Sequence, residues 1–179
     1  MQALVIGGDG NLGRVLCREL AARGLMFVRT TRRKTDLFHP SIVYCDLRDL
    51  RDFDPGAGMW VNGAITFRVI YIMAAITGIM RAETDPDAWH VNAEAPLLIA
   101  QRARLGGHHV VFISSGTVER AQHTALARQK AYADQAVLIL GGCVVRPLPF
   151  VEPDKYVELA RLLIQVGLER RSGLVRWEG

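Results

Sequence analysis

The sequence predicts an α/β domain with a doubly wound, mostly parallel sheet, and three observations carry that prediction. Short apolar runs alternate with helical patterns from one end of the chain to the other. The run within Phe67 to Thr77 is near-continuously apolar, as a strand buried on both faces of a parallel sheet is. The first run, Ala3 to Ile6, stops at a glycine cluster that opens straight into an amphipathic helix.

In chain order, that first helix carries Leu12, Leu16 and Leu20 at i,i+4 spacing, with Val15 beside them and Gly24 as its C-cap. Leu25 to Thr30 reads as a second strand and Ser41 to Cys45 as a third. Asp49 to Ala57 is a turn-rich link, followed by a short, imperfect helix near Gly58 to Ala64. Phe67 to Thr77 contains the fourth strand. Asp85-Pro86-Asp87 opens a long helix, with Asp85 as cap and Pro86 in the first turn, and Gly106 and Gly107 close it. His109 to Ile113 is a fifth strand, Val118 to Asp134 a helix, and Ala136 to Val145 a sixth strand interrupted by Gly141 and Gly142. A last helix near Lys155 to Gly167 precedes a short strand, Leu174 to Trp177. Strands joined through helices require right-handed crossovers, which wind the sheet in both directions.

A length of 179 residues fits one domain, 1–179. Half the residues are hydrophobic and 22% charged, the composition of a soluble globular protein. The net charge of +4 suits anionic small ligands, and no basic stripe interleaved with aromatics marks a nucleic-acid surface. Cys17, Cys45 and Cys143 are too few and too scattered for a disulfide frame or a zinc site, so no metal is expected. The N-terminus lacks a basic lead and a cleavable apolar run. The longest apolar stretch, Val69 to Met80, is about twelve residues, short of a membrane span. Cytoplasm is the expected location.

The informative motif is Gly7-Gly8-Asp9-Gly10-Asn11-Leu12-Gly13. Gly7, Gly10 and Gly13 lie between strand and helix, where glycine permits a tight turn and lets a pyrophosphate approach the backbone. The helix N-terminus then offers unpaired N–H groups to the phosphates, with Asn11 and Leu12 in its first turn. The motif therefore predicts a dinucleotide site. An NAD site usually places an acid about 20 residues beyond the glycines to accept the ribose hydroxyls. Here Arg29-Thr30-Thr31-Arg32-Arg33-Lys34 holds no acid before Asp36. Arg32 and Arg33 suit a 2′-phosphate, with Thr31 as a weaker donor, so NADP is the expected cofactor.

These residues resemble the short-chain dehydrogenase/reductase superfamily, in its extended or atypical branch of nucleotide-sugar epimerases, dehydratases and reductases. The resemblance runs from Met1 to about Pro147 and implies a Rossmann fold. The glycine turn matches that branch's Gly-x-x-Gly-x-x-Gly. By resemblance, Asp46 and Leu47 meet the adenine, Ala74 and Ala75 lie along the cofactor, and Asn92 is the family's helix asparagine. Ser114-Ser115-Gly116-Thr117-Val118 is similar to a segment whose second serine contacts substrate. Arg146-Pro147 resembles the pair that ends a strand beside the nicotinamide.

Two departures stand out. The family uses a Tyr and a Lys four residues apart for proton transfer, and here Lys130 is present but the Tyr position is Leu126. Tyr132 falls on another side of the helix and His123 lies two turns away. Lys130 reads either as the family lysine or as a surface residue of a polar helix. The region after Pro147 is also short, so a small substrate, or a site completed by a second subunit, is expected. Phe150 and Trp177 are candidates to line it, or are ordinary core or dimer contacts.

Two functions follow. One is an NADP-dependent oxidoreductase or epimerase-like enzyme acting on a small carbonyl or alcohol, with Ser115 and Lys130 as its chemical residues. The other is a non-catalytic NADP(H) sensor or partner subunit that lacks the tyrosine. A homodimer is compatible with both.

Overall fold

Apolar runs that alternate with helices place β1 (Gln2–Ile6), β2 (Met26–Thr31), β3 (Ile42–Tyr44), β4 (Val69–Ile72), β5 (His109–Ile113), β6 (Cys143–Pro147) and β7 (Gly173–Trp177). A computed structural model describes residues 2–33, 41–50, 67–148 and 151–178. The seven strands form one sheet in the order β3-β2-β1-β4-β5-β6-β7, and every described pairing is parallel. The chain winds outward from β1 to β3, then returns to place β4 on the other side of β1. That reversal opens a crevice at the C-terminal ends of β1 and β4, where this kind of sheet takes its ligands.

The central strands are largely apolar because both sheet faces are covered. Leu4, Ile6, Ile70, Ile72, Phe112 and Val144 face one side, against Val91, Ile99, Ala133 and Val137. Their strand neighbours Val5, Val69, Tyr71, Val111 and Val145 face the other, against Leu16, Leu20, Leu159 and Leu163. The first layer belongs to α3 (Ala95–Leu105) and α5 (Ala125–Ile139), the second to α1 (Asn11–Ala22) and α6 (Tyr156–Leu168). Strand residues thus alternate between two cores, as their period of two requires. The shorter helices are α2 (Ile79–Thr84) and α4 (Thr117–Arg120).

Several boundaries differ from the sequence expectation. Ala136 to Ile139 belongs to α5 rather than to the sixth strand, because Ala133 and Val137 continue one buried helical face. Gly141, at φ +83°, turns the chain and β6 begins only at Cys143. The helix expected over Val118 to Asp134 is two helices. The chain leaves helical geometry at Ala121 and restarts at Thr124, whose hydroxyl oxygen accepts the Ala127 N–H at 3.2 Å. Asp85 caps as expected, taking the Asp87 N–H at 3.0 Å, but a π-helical turn over His90–Glu94 interrupts the long helix that follows. The helix expected near Gly58 to Ala64 lies outside the described residues, as does most of the link before it. Among the described residues, no helix is long and apolar enough to cross a membrane.

Candidate dinucleotide cleft

The glycine turn is held by close backbone approach. Gly7 has φ +87°, and a Cβ there would stand 2.6 Å from the Ala74 nitrogen, so this residue lets the ends of β1 and β4 meet. A Cβ on Gly13 would fall 2.2 Å from the Gly7 carbonyl oxygen, so α1 packs directly on the turn. The Gly10 N–H donates to the Gly7 carbonyl at 3.1 Å, and the Gly7 N–H donates to the Thr30 hydroxyl oxygen at 3.0 Å. Helix α1 starts with no side-chain cap and no acid in its first turn. Its first N–H groups are therefore open to an anion, with the helix dipole in support.

From this turn a cleft of about 1200 Å³ runs along the rim of the sheet. Gly7, Gly10, Asn11, Leu12 and Gly13 line one end. Thr31, Arg32, Arg33, Asp46 and Leu47 line the β2–β3 side, Ala74 and Ala75 the middle, and Ser115, Lys130 and Pro147 the far side. The fold thus brings together nearly every residue singled out in the sequence. Among the residues expected to meet the cofactor, Asn92 is the exception. It is 1% exposed and lies behind the wall, where its side chain accepts the Ile76 N–H at 2.8 Å and donates to the Ile76 carbonyl at 2.9 Å and to Gln129 at 2.9 Å. With its amide committed in this way, Asn92 shapes the segment after β4 and does not itself face the cleft.

The rim of β2 is more organised than its sequence suggests. The Thr31 hydroxyl donates to Asp9 at 2.5 Å and accepts the Arg33 N–H at 3.0 Å, so it is not an idle donor. Arg29 pairs with the same Asp9 carboxylate. Arg32 and Arg33 are exposed. Asp46 accepts the Arg48 N–H at 3.1 Å, and the Arg48 side chain reaches across to Asp87 at 2.6 Å.

At the far side, Lys130 is 4% exposed and not a surface lysine. Its Nζ donates to the Ile113 carbonyl at 3.1 Å and sits 4.5 Å from the centre of the Phe112 ring. Burial lowers its pKa from the ordinary 10.5 to about 8, with the Asp134 carboxylate pulling the other way. Asp134 is itself raised by burial and held against that by Arg146, whose guanidinium meets it at 2.6 Å. Ser115 accepts from the Thr117 N–H at 3.2 Å and from its hydroxyl at 3.0 Å, which leaves the Ser115 O–H to donate elsewhere.

Leu126 lines the cleft at 7% exposure, where the family tyrosine would stand. His123 is exposed in the turn before α5 and shares no face with Lys130. Tyr132 points outward, its ring 5.6 Å from that of Trp89. Trp177 packs on the α1–α6 core and not in the cleft, and Phe150 lies outside the described residues. Tyr156, at the start of α6, lines the cleft and was missed in the sequence, as was Asp9. Neither residue stands at a spacing that announces it.

The model of the RmlD substrate binding domain family matches residues 1–136. No curated protein sequence matches the chain. Among solved structures, a dTDP-4-dehydrorhamnose reductase from Clostridium acetobutylicum superposes with a TM-score of 0.78 at 20% identity, over 100% of this chain and 75% of that one. The enzyme of that name from Bacillus anthracis, in complex with NADP, gives 0.77 at 15% identity, covering 99% and 74%. WbmH of Bordetella bronchiseptica, in complex with NAD+, gives 0.76 at 14%, covering 99% and 75%. By its family match, the parallel sheet and the glycine turn at its switch point, the chain belongs to the RmlD substrate binding domain family of the extended short-chain dehydrogenase/reductases.

Proposed function

We propose that the chain is an NADP-dependent oxidoreductase or epimerase-like enzyme acting on a small carbonyl or alcohol. The observation that carries this reading is the single cleft joining the glycine turn, the arginine rim of β2 and the Ser115–Lys130 pocket. The open N–H groups of α1 and the backbone of Gly7 to Gly13 suit a pyrophosphate, and Arg32 and Arg33 suit a 2′-phosphate. Asp46 and Leu47 border the space for an adenine, and Ala74, Ala75 and Pro147 border the rest. When bound, the nicotinamide supplies or accepts a hydride.

Ser115 directs its O–H at the substrate oxygen, and Lys130 adds positive charge beside it. Leu126 moves no proton. The cleft offers two other groups that hold one, the Lys130 ammonium, with its pKa near 8, and the Tyr156 phenol. The neighbouring reductases act on a nucleotide-linked keto sugar by their names, and such a compound belongs in the substrate panel beside small carbonyls.

A second reading is favoured by Leu126, which closes the tyrosine position with an apolar side chain. It is a non-catalytic NADP(H) sensor or partner subunit. Loss of reduced-nicotinamide absorbance on adding the panel separates the two: substrate-dependent oxidation supports the enzyme, and tight binding without turnover supports the sensor. A homodimer in the reducing cytoplasm belongs to both readings, and a monomer in sedimentation velocity removes the pairing. The three cysteines are free, buried thiols, in keeping with a reducing setting.

A further inference from the structure

We infer that Asp9 is a selectivity residue for the dinucleotide, acting against a 2′-phosphate from within the glycine turn; this rests on the dinucleotide reading above. The rim at the end of the second strand is where sites of this fold read the adenosine ribose, with a carboxylate for the free hydroxyls or a cation for a 2′-phosphate. β2 itself supplies no acid there. The fold brings one from 22 residues earlier: Asp9 Oδ2 accepts the Thr31 hydroxyl at 2.5 Å, and Oδ1 pairs with Arg29. The carboxylate lines the cleft beside Thr31, Arg32 and Arg33.

Two consequences follow from that placement. Asp9 occupies Thr31, a hydroxyl donor on the cleft wall, and Arg29, a further cation beside it. It also sets a negative charge where the phosphate would bring more, and like charges at short range in a half-buried site repel. Ribose hydroxyls carry no such charge, and they donate to a carboxylate. Asp9 therefore favours the unphosphorylated ribose, while Arg32 and Arg33 favour the phosphorylated one. The preference of the native chain is the balance between them.

The test is calorimetric titration of the full chain with NADPH and NADH, comparing wild type, Asp9→Asn, Asp9→Ser and the double variant Asp9→Asn/Arg29→Met. Asn keeps an acceptor for Thr31 but releases Arg29. The expected result is a shift of the NADPH-to-NADH affinity ratio toward NADPH of about tenfold in both single variants, and a smaller shift in the double variant, which relieves the charge but lacks Arg29. Thermal melts confirm that each variant folds. A ratio within about twofold of wild type in folded single variants, or one moving toward NADH, overturns the role of Asp9 while leaving the dinucleotide site intact. If folded wild type binds neither nucleotide, the dinucleotide reading fails, and this inference with it.

Discussion

Lys130 sits in an environment far from that of a free side chain. Its amine is held in the protein at a pKa of about 8 against an ordinary 10.5, so between those values the unfolded chain binds more protons than the folded one. Stability contributed by this group therefore rises with pH in that window, and at pH 7 the buried charge is a cost. Lys130→Met is expected to raise unfolding free energy at pH 7 by about 1–3 kcal/mol, with the gap beginning to narrow between pH 8 and pH 9. Urea denaturation across that range measures it. The range stops there because burial pushes Cys17 and Cys143 to about 11 and Cys45 to about 12, which turns stability downward as pH rises further. A variant less stable than wild type at pH 7 would show that the bond to Ile113 and the attraction of Asp134 outweigh desolvation. A stabilising substitution at a cleft-facing lysine is the pattern of a residue kept for chemistry. Ser115→Ala tests the same pocket, with turnover expected to fall about 100-fold while NADPH affinity holds.

Among the elements, the segment after β4 depends on a chain of amides. Gln129 donates to the Ala82 carbonyl at 3.2 Å and accepts from Asn92, which holds both backbone groups of Ile76. This links α2, the π-turn and α5 to the cleft wall. Asn92→Ala leaves buried polar groups unpaired, and a loss of about 2–4 kcal/mol in chemical denaturation is expected. A loss below about 0.5 kcal/mol would mean that water replaces the amide. Gly13→Ala tests the turn itself: its Cβ meets the Gly7 carbonyl, so the turn must open and dinucleotide affinity must fall.

Elements were legible where periodicity and caps agreed, as in β1, the glycine turn and α1. They were not where one stretch satisfies two periods. Ala136 and Val137 suit a strand or the last turn of a helix, and the continued burial of the Ala133 face decided for the helix. The break between α4 and α5 turns on the Thr124 cap, which the run of helix formers around it obscured. At the cleft, residues tied to strand ends were readable because the sheet fixes where those ends fall. Asp9 and Tyr156 owe their places to tertiary contacts, which spacing along the chain does not encode. Asn92 was readable as important, but its work is internal.

For the whole molecule, a net charge of +4 and an arginine rim are expected to draw anions to this side of the cleft. NADPH affinity is therefore expected to fall more steeply than NADH affinity as salt rises from low to physiological strength. Arg32→Ala/Arg33→Ala should remove most of the difference. Equal salt slopes for the two nucleotides would place the 2′-phosphate away from this rim.

The reading proposed for the cleft at the switch point of the sheet is that it holds a nicotinamide dinucleotide. Calorimetric titration of the folded protein with NADPH and NADH tests it most directly. Saturable binding at one site per chain is expected, with NADPH the tighter of the two and binding much weakened in Gly13→Ala. Absence of heat and of any thermal-melt shift with either nucleotide at millimolar concentration would contradict it.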